Sequence, residues 1–339
     1  MKSGWERSGE LILLEAGRAD HMLRPFLKER HVRETLLLGG GLNNTNLKIT
    51  TDSEEVFVLR LYSQNHEACA IERKIAGLLK GKVPAADVLY TDDTCEKADV
   101  PFLLMNFVPG VQLSEIILRK DSRQMKKAAW DAGRHLAQIH SLKFDGPGFF
   151  DGDLHIREPV SIGSGEFVAF ISKSLKEGYG GKNLGLRLTE KVIRFCERHA
   201  VLLEELTVQN CLVHSDFNPL NILVEDHGRI AAVLDWEYAF SGTPLFDIGN
   251  MVRYECLGDT ILLQPFITGY KEYGGRLPER WLQMAKLVDL IALCGLLDKE
   301  ACGEVRSADI RRLIQGTMDD WEKFASLQAK MLAVIGDMK

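Results

Sequence analysis

Apolar and polar residues follow two patterns along the chain. In the first third, short apolar runs alternate with polar turns: Glu34–Leu38, Leu47–Thr50 and Val56–Tyr62. The last two flank Thr51-Asp52-Ser53-Glu54-Glu55, and β-branched or aromatic runs around such a turn predict a hairpin. At His66–Leu79 the period changes, with Ala68, Ile71, Ile75, Leu78 and Leu79 at helical spacing. Val100–Val108 is a further apolar run, closed by the turn-forming pair Pro109-Gly110. Helical spacing then dominates. Ala128, Ala132, Leu136 and Ile139 share one face of Gln124–His140, Thr189–Leu206 is helical, and so is most of the chain beyond Pro244. Trp321, Phe324, Leu327, Met331 and Leu332 suggest a final amphipathic helix. One β-rich interruption lies inside this part: Cys211–Val213, Ile222–Val224 and Ile230–Leu234. The expectation is an α+β chain, with a small β-rich part over 1–108 and a large, mainly helical part over 109–339.

Composition narrows the classes. The chain has 339 residues, 45% hydrophobic and 27% charged, and a chain of this length usually divides into two domains or lobes. Lys plus Arg number 42 against 48 Asp plus Glu, a net charge of −6. A general nucleic-acid binder would carry the opposite balance. The seven cysteines are scattered, with no C-x-x-C, which fits neither a disulfide framework nor a zinc site. They read as reduced thiols of a cytoplasmic protein. Charges at Lys2, Glu6, Arg7 and Glu10 interrupt the start, so it does not read as a secretory signal. The most apolar later stretch, Ala285–Leu297, holds Lys286 and Asp289 and is too short to span a bilayer. Neither nucleic acid nor membrane is an expected partner.

The densest chemistry lies in Val213-His214-Ser215-Asp216-Phe217-Asn218-Pro219-Leu220-Asn221-Ile222-Leu223, with Asp235 at the end of the next apolar run. Alone, each of these Asp and Asn residues reads as a turn former or cap. Together, a hairpin could present Asp216, Asn221 and Asp235 at one edge. Three oxygen-bearing side chains there suit a hard cation such as Mg²⁺, which takes one or two carboxylates plus phosphate oxygens. A carboxylate not used by the metal could orient a hydroxyl and accept its proton.

This H-x-D-x-x-x-x-N block followed by Asp235-Trp236-Glu237 resembles the catalytic loop and metal-binding aspartate of the protein-kinase-like superfamily, and most closely its aminoglycoside phosphotransferase and choline kinase branch. The resemblance covers roughly residues 30 to 300. It implies a two-lobed protein-kinase-like fold, with Asp216 as catalytic base and Asn221 and Asp235 as Mg²⁺ ligands. It implies ATP, or GTP, as co-substrate and a small-molecule hydroxyl as acceptor. Gly39 to Asn46 lacks the G-K-[ST] ending of a Walker loop, but between strands its glycines would admit main-chain N–H groups to phosphates. Nucleotide contacts are expected at Gly40, Gly41, Asn43, Asn44 and Thr45. The next strand offers Arg60 where kinases place a lysine, with Glu72 on the following helix as its partner. An arginine can grip phosphate through its planar fork. Leu103-Leu104-Met105-Asn106-Phe107-Val108-Pro109-Gly110 resembles the hinge, where the main chain of Met105, Asn106 and Phe107 would bond the purine edge. Leu136–Leu142 resembles the family's L-A-x-[IL]-H-x-L helix end, and Asp247 in Pro244–Gly249 is expected to hold the catalytic loop.

The acceptor is the open element. Glu237, Glu255, Asp259, Asp289, Asp298, Glu300, Asp151 and Asp153 are compatible with a cationic amine or aminoglycoside. Homoserine, choline and sugars of the fructosamine type are alternatives. A nucleotide-binding pseudoenzyme is the competing reading from another class.

Overall fold

A computed structural model describes the chain except residues 1, 3, 40, 64, 208, 255–260 and 337–339, and the side chains of 332–336. After an extended N-terminal segment comes helix α1 (Ala16–Leu27), then β1 (Val32–Leu37), β2 (Thr45–Thr51), β3 (Val56–Leu61), α2 (His66–Leu79), β4 (Val88–Asp92) and β5 (Phe102–Asn106). The strands form one antiparallel sheet in the order β1-β2-β3-β5-β4. The expected hairpin is β2–β3, with Leu47 opposite Leu59 and Ile49 opposite Phe57. One face of the sheet buries Leu47, Ile49, Phe57 and Leu59 against Ala19, Met22, Leu23 and Leu27 of α1. On the other side, α2 starts where the Asn65 side chain accepts the N–H of Ala68, an N-cap that satisfies one orphan donor.

Past residues 107–110 come β6 (Val111–Gln112), α3 (Leu113–Arg119), α4 (Ser122–His140), β7 (Gly148–Phe150), β8 (Ile156–Pro159) and α5 (Ser164–Ser172), the last running into a π-helical turn. Then follow α6 (Gly180–Leu184), α7 (Leu186–His199), β9 (Cys211–Val213), β10 (Ile222–Val224), β11 (Ile230–Val233), β12 (Phe240–Gly242), α8 (Leu245–Met251), α9 (Leu263–Glu272), α10 (Trp281–Leu297), α11 (Glu304–Asp319) and α12 (Trp321–Gly336). The core of this lobe is α10, apolar around its circumference and buried from Trp281 to Leu290, as expected of a central helix. Helices α4 and α9 meet where a Cβ on Gly133 would fall 1.9 Å from the Phe266 carbonyl and one on Gly269 2.1 Å from that of Trp130. Only glycine permits that approach.

One expectation changes. The strands around the H-x-D-x-x-x-x-N block are not partners: β10 pairs with β11 and β6, whereas β9 pairs with β12. The block therefore crosses between two small sheets, and its shape must come from side chains. Among the described residues, no helix is long and apolar enough to cross a membrane.

Candidate active site

The bracing of that block starts at Asp247, in the first turn of α8. Its carboxylate accepts the main-chain N–H of His214 and of Ser215, each at 2.8 Å. His140 Nε2 lies 3.0 Å from Asp247 Oδ2, and His140 Nδ1 2.9 Å from the Tyr270 hydroxyl. Asn250 Nδ2 donates to the Ser215 carbonyl at 3.1 Å. These bonds hold Ser215 at φ 72°, a left-handed conformation that costs free energy in a non-glycine residue and collects at functional sites. Asp235 shares it, at φ 70°. The fully buried His214 joins the two places, its Nε2 lying 2.8 Å from the Leu234 carbonyl.

Asp216, Asn221 and Asp235 come together. Asn221 Nδ2 donates to both the side chain (Oδ2) and the main-chain oxygen of Asp216, each at 2.9 Å. The Leu234 N–H donates to the Asn221 carbonyl at 2.8 Å, which seats Asp235 beside Asn221. Asn218 Nδ2 reaches Asp216 Oδ1 at 2.8 Å. The last partner of Asp216 comes from the far end of the sequence: Lys2 Nζ stands 2.8 Å from both carboxylate oxygens.

Arg60 and Glu72 are paired as expected, and both side chains are buried, 6% and 5% exposed, so this is no solvated surface pair. Arg60 Nε stands 3.3 Å from Glu72 Oε2, the same guanidinium bonds Asp235, and Glu237 Oε1 lies 3.5 Å away. Tyr62 donates to Glu72 at 2.5 Å. One cation thus serves three carboxylates. Burial opposes charge on Asp235, but the adjoining Arg60 outweighs it and holds the carboxyl below its ordinary range. Glu237 goes the other way: burial, and then the Asp235 charge, push it up to about 8. Glu72 is raised by its burial as well.

The glycine-rich turn closes on this cluster. Asn44 donates to Glu237, and Asn43 to the Tyr238 hydroxyl. Gly41, Asn43 and Asn44 line the cleft between the lobes; Gly40 lies outside the described residues. Thr45 departs from expectation. It is fully buried, and its hydroxyl accepts from the Ile12 N–H at 3.0 Å and from Arg7 at 3.2 Å, so it faces the N-terminal segment rather than the cleft. Met105, Asn106 and Phe107 do line the cleft. The Asn106 N–H, however, already donates to the Asp87 carbonyl at 3.1 Å, because β5 is still pairing there, so it is not available to a purine.

Some residues of the site were not singled out from the sequence. Arg7 holds the turn from behind, donating to the carbonyls of Gly41 at 2.5 Å, Asn43 at 3.0 Å and Asn44 at 2.9 Å. Lys2 and Arg7 lie far from the motifs in sequence, and no local pattern marks them. Glu237 was visible only as an acid after Trp236, and the structure moves it from the expected acceptor wall to the cluster around Arg60 and the glycine turn. The rest of that acidic wall does not assemble. Asp289 is buried in an ion pair with Arg253, Asp298 accepts the Tyr179 N–H at 2.7 Å, Asp153 pairs with Lys74, Asp151 accepts N–H groups of its own loop, and Glu300 is exposed. Glu255 and Asp259 lie outside the described residues.

The cleft has a volume of about 1230 Å³ and is lined from both lobes, by the glycine turn, Arg60, the 105–108 stretch, Asp216, Asn221 and Asp235. A five-stranded sheet over a helical lobe, with this loop beneath a glycine turn, defines a small-molecule kinase of protein-kinase-like fold. Residues 34–282 match the phosphotransferase enzyme family, and the chain belongs to it. Similar solved structures include the streptomycin–ATP complex of APH(2″)-IIa, 17% identical with a TM-score of 0.59 over 90% of this chain and 97% of that one. APH(4)-Ia is 15% identical with a TM-score of 0.58, covering 95% and 98%. A thermostable mutant of APH(4)-Ia in ternary complex with ADP and hygromycin B is 16% identical with a TM-score of 0.52, covering 93% and 97%. At such identities the likeness concerns the fold. No curated protein matches the chain.

Proposed function

We propose that this protein transfers the γ-phosphoryl group of ATP to a hydroxyl of a small molecule, with Asp216 as the catalytic base. The observation that carries this is the convergence of Asp216, Asn221 and Asp235 in one cleft, on a loop whose strained main chain is held by Asp247 and Asn250. The nucleotide lies between the glycine turn and Arg60. The acceptor oxygen attacks the γ-phosphorus, the bond from that phosphorus to the β–γ bridging oxygen breaks, and ADP leaves. Asp216 orients the hydroxyl and takes its proton. Both of its oxygens are turned to Lys2, so the acceptor hydroxyl takes the place of the Lys2 ammonium. Little covalent work falls to the protein; it positions groups and stabilises charge.

The site suits magnesium. Asn221 commits its amide nitrogen to Asp216, which leaves its amide oxygen, and Asp235 bonds Arg60 through Oδ1. Two oxygen donors beside an excess of buried carboxylates fit a hard divalent cation. Asn221 and Asp235 would hold it, and when bound it supplies neutralisation of phosphate charge. The presence of all three side chains speaks against a pseudoenzyme. The neighbours named above bind ATP, ADP, streptomycin and hygromycin B, which supports a nucleotide donor and a small-molecule acceptor here.

The test is Asp216→Asn, which keeps the shape and removes the base. The expected loss in kcat is about 10²–10⁴ with an unchanged melting temperature, measured as ADP release with a responsive acceptor. Turnover near that of the unaltered enzyme removes Asp216 from the mechanism.

A further inference from the structure

The cleft wall built by residues 2–8 and 250–306 contributes no carboxylate among the described residues, yet it contributes five cations: Arg7, whose guanidinium is spent on the main-chain carbonyls of Gly9, Glu10, Gly41, Asn43 and Asn44, and the four others, Lys2, Arg253, Lys299 and Arg306. Two of these are balanced. Lys2 pairs with Asp216, and Arg253 grips Asp289 at 2.6 Å with both side chains 3% exposed. Lys299 and Arg306 are not. No side-chain nitrogen of either makes an ion pair within 4.0 Å among the described residues, the Glu6 carboxylate acting on the Arg306 guanidinium only from a distance, and both turn to the same neutral hydroxyl, Ser8 Oγ, at 3.4 and 3.1 Å. The other bond of the Arg306 guanidinium goes to the main-chain carbonyl of Glu6. The Glu6 carboxylate is turned instead onto the N–H groups of Val305 and Arg306. Arg306 is only 2% exposed, and its Nε is buried with no hydrogen bond. Burial, and then the nearby Arg306 charge, lower the pKa of Lys299.

Two like charges held together by neutral acceptors are costly, and an anion would relieve both. Attachment of the N-terminal segment does not account for them, since a serine hydroxyl and a carbonyl need no pair of cations. The pair opens on the same cleft as Asp216, and the Trp5 ring links the two places, with Lys2 Nζ 5.8 Å and Arg306 Cζ 5.4 Å from its centroid.

We propose that the phosphoryl acceptor carries an anionic group, a carboxylate or a phosphate, which docks between Lys299 and Arg306 while its hydroxyl faces Asp216. This rests on the phosphotransferase reading above and names its substrate class. It differs from the cationic acceptor suggested by the acidic residues of the sequence.

The experiment uses the full chain with Mg²⁺ and ATP and a panel of alcohols. Chain length and hydroxyl position are matched; the far end is carboxylate, phosphate ester, neutral or ammonium; hygromycin B and streptomycin are included. ADP release is read for each. The anionic members should show kcat/KM at least tenfold above their neutral counterparts, and the carboxylate and phosphate arms tell the two anions apart. Lys299→Gln should raise KM for the anionic acceptor at least tenfold with a much smaller change in kcat, and Lys299→Arg should restore it. Arg306→Gln should act likewise; because Arg306 is buried and that variant can fail to fold, the half-buried Lys299 carries the test independently. Equal or better use of ammonium alcohols or aminoglycosides overturns the anionic class and leaves phosphoryl transfer standing. So does inertness of every alcohol while slow ATP hydrolysis persists. Inertness of every alcohol, with neither hydrolysis nor a rise in melting temperature on adding Mg²⁺ and ATP, overturns the phosphotransferase reading and this inference with it.

Discussion

The two ends of the cleft are charged in opposite ways. Toward the sheet, Glu72, Asp235 and Glu237 crowd the single guanidinium of Arg60. Toward the C-terminal helices, Lys299 and Arg306 share a serine hydroxyl. Between them in character stands Arg253–Asp289, equally buried and matched one to one. Charge is buried wholly or in part at all three places, and Arg253 lines the cleft as well, so the cleft does not by itself force imbalance, which is particular to the two ends. Since an unpaired buried ion costs several kcal/mol, the two imbalances match the two proposals above: a divalent cation at the acidic end, an acceptor anion at the other.

The strongest way to break this contrast is to remove the lone cation of the acidic end. Arg60→Met strands three carboxylates and should destabilise the protein by about 3–5 kcal/mol, read from the urea midpoint. Arg60→Lys, which keeps the charge, should lose clearly less. A cost below about 1 kcal/mol for Arg60→Met, the range of solvated surface pairs, would mean that the acidic end is not buried charge at all. A smaller effect is expected at the loop joining the ends. Asp247→Ala leaves the N–H groups of His214 and Ser215 without their acceptor, at about 1–3 kcal/mol for a buried donor. Faster hydrogen exchange at those two amides is the measurement, and unchanged exchange would show that Asp247 does not hold the loop.

The same contrast explains what could be read from the sequence. The β2–β3 hairpin, α2, α4 and the Asp216–Asn221–Asp235 set were legible because local periodicity or close spacing carries them. The Arg60–Glu72 pair came with the motif. What escaped is long-range. Lys2 meets Asp216, Arg7 meets the glycine turn, and Glu237 meets Asn44 across separations of 214, 34 to 37 and 193 residues. No period of 2 or 3.6 encodes such contacts. Helix α1 was not among the expected elements although Ala19, Met22, Leu23 and Leu27 sit at helical spacing; Pro25 lies inside it. The acidic acceptor wall failed for a related reason: a list of acids does not say which are already paired, and Asp289 is.

The smallest expected effect tests the acidic end most finely, because it depends on pH. Glu237 binds its proton near pH 8 in the folded protein, against about 4.3 for a glutamate in an unfolded chain. Between those values the folded state holds more protons than the unfolded one, so this residue lowers stability progressively as pH rises through the window. Glu237→Gln mimics the protonated form and still offers Asn44 an oxygen. At pH 5, without nucleotide or metal, the two proteins should unfold within about 1 kcal/mol of each other. By pH 9 the glutamine variant should be the more stable, with the gap opening between about pH 5 and 8, followed by calorimetry at fixed ionic strength. A gap that does not change with pH would mean that Glu237 is ionised throughout and that Arg60 suffices for all three carboxylates, which would remove the imbalance at this end of the cleft.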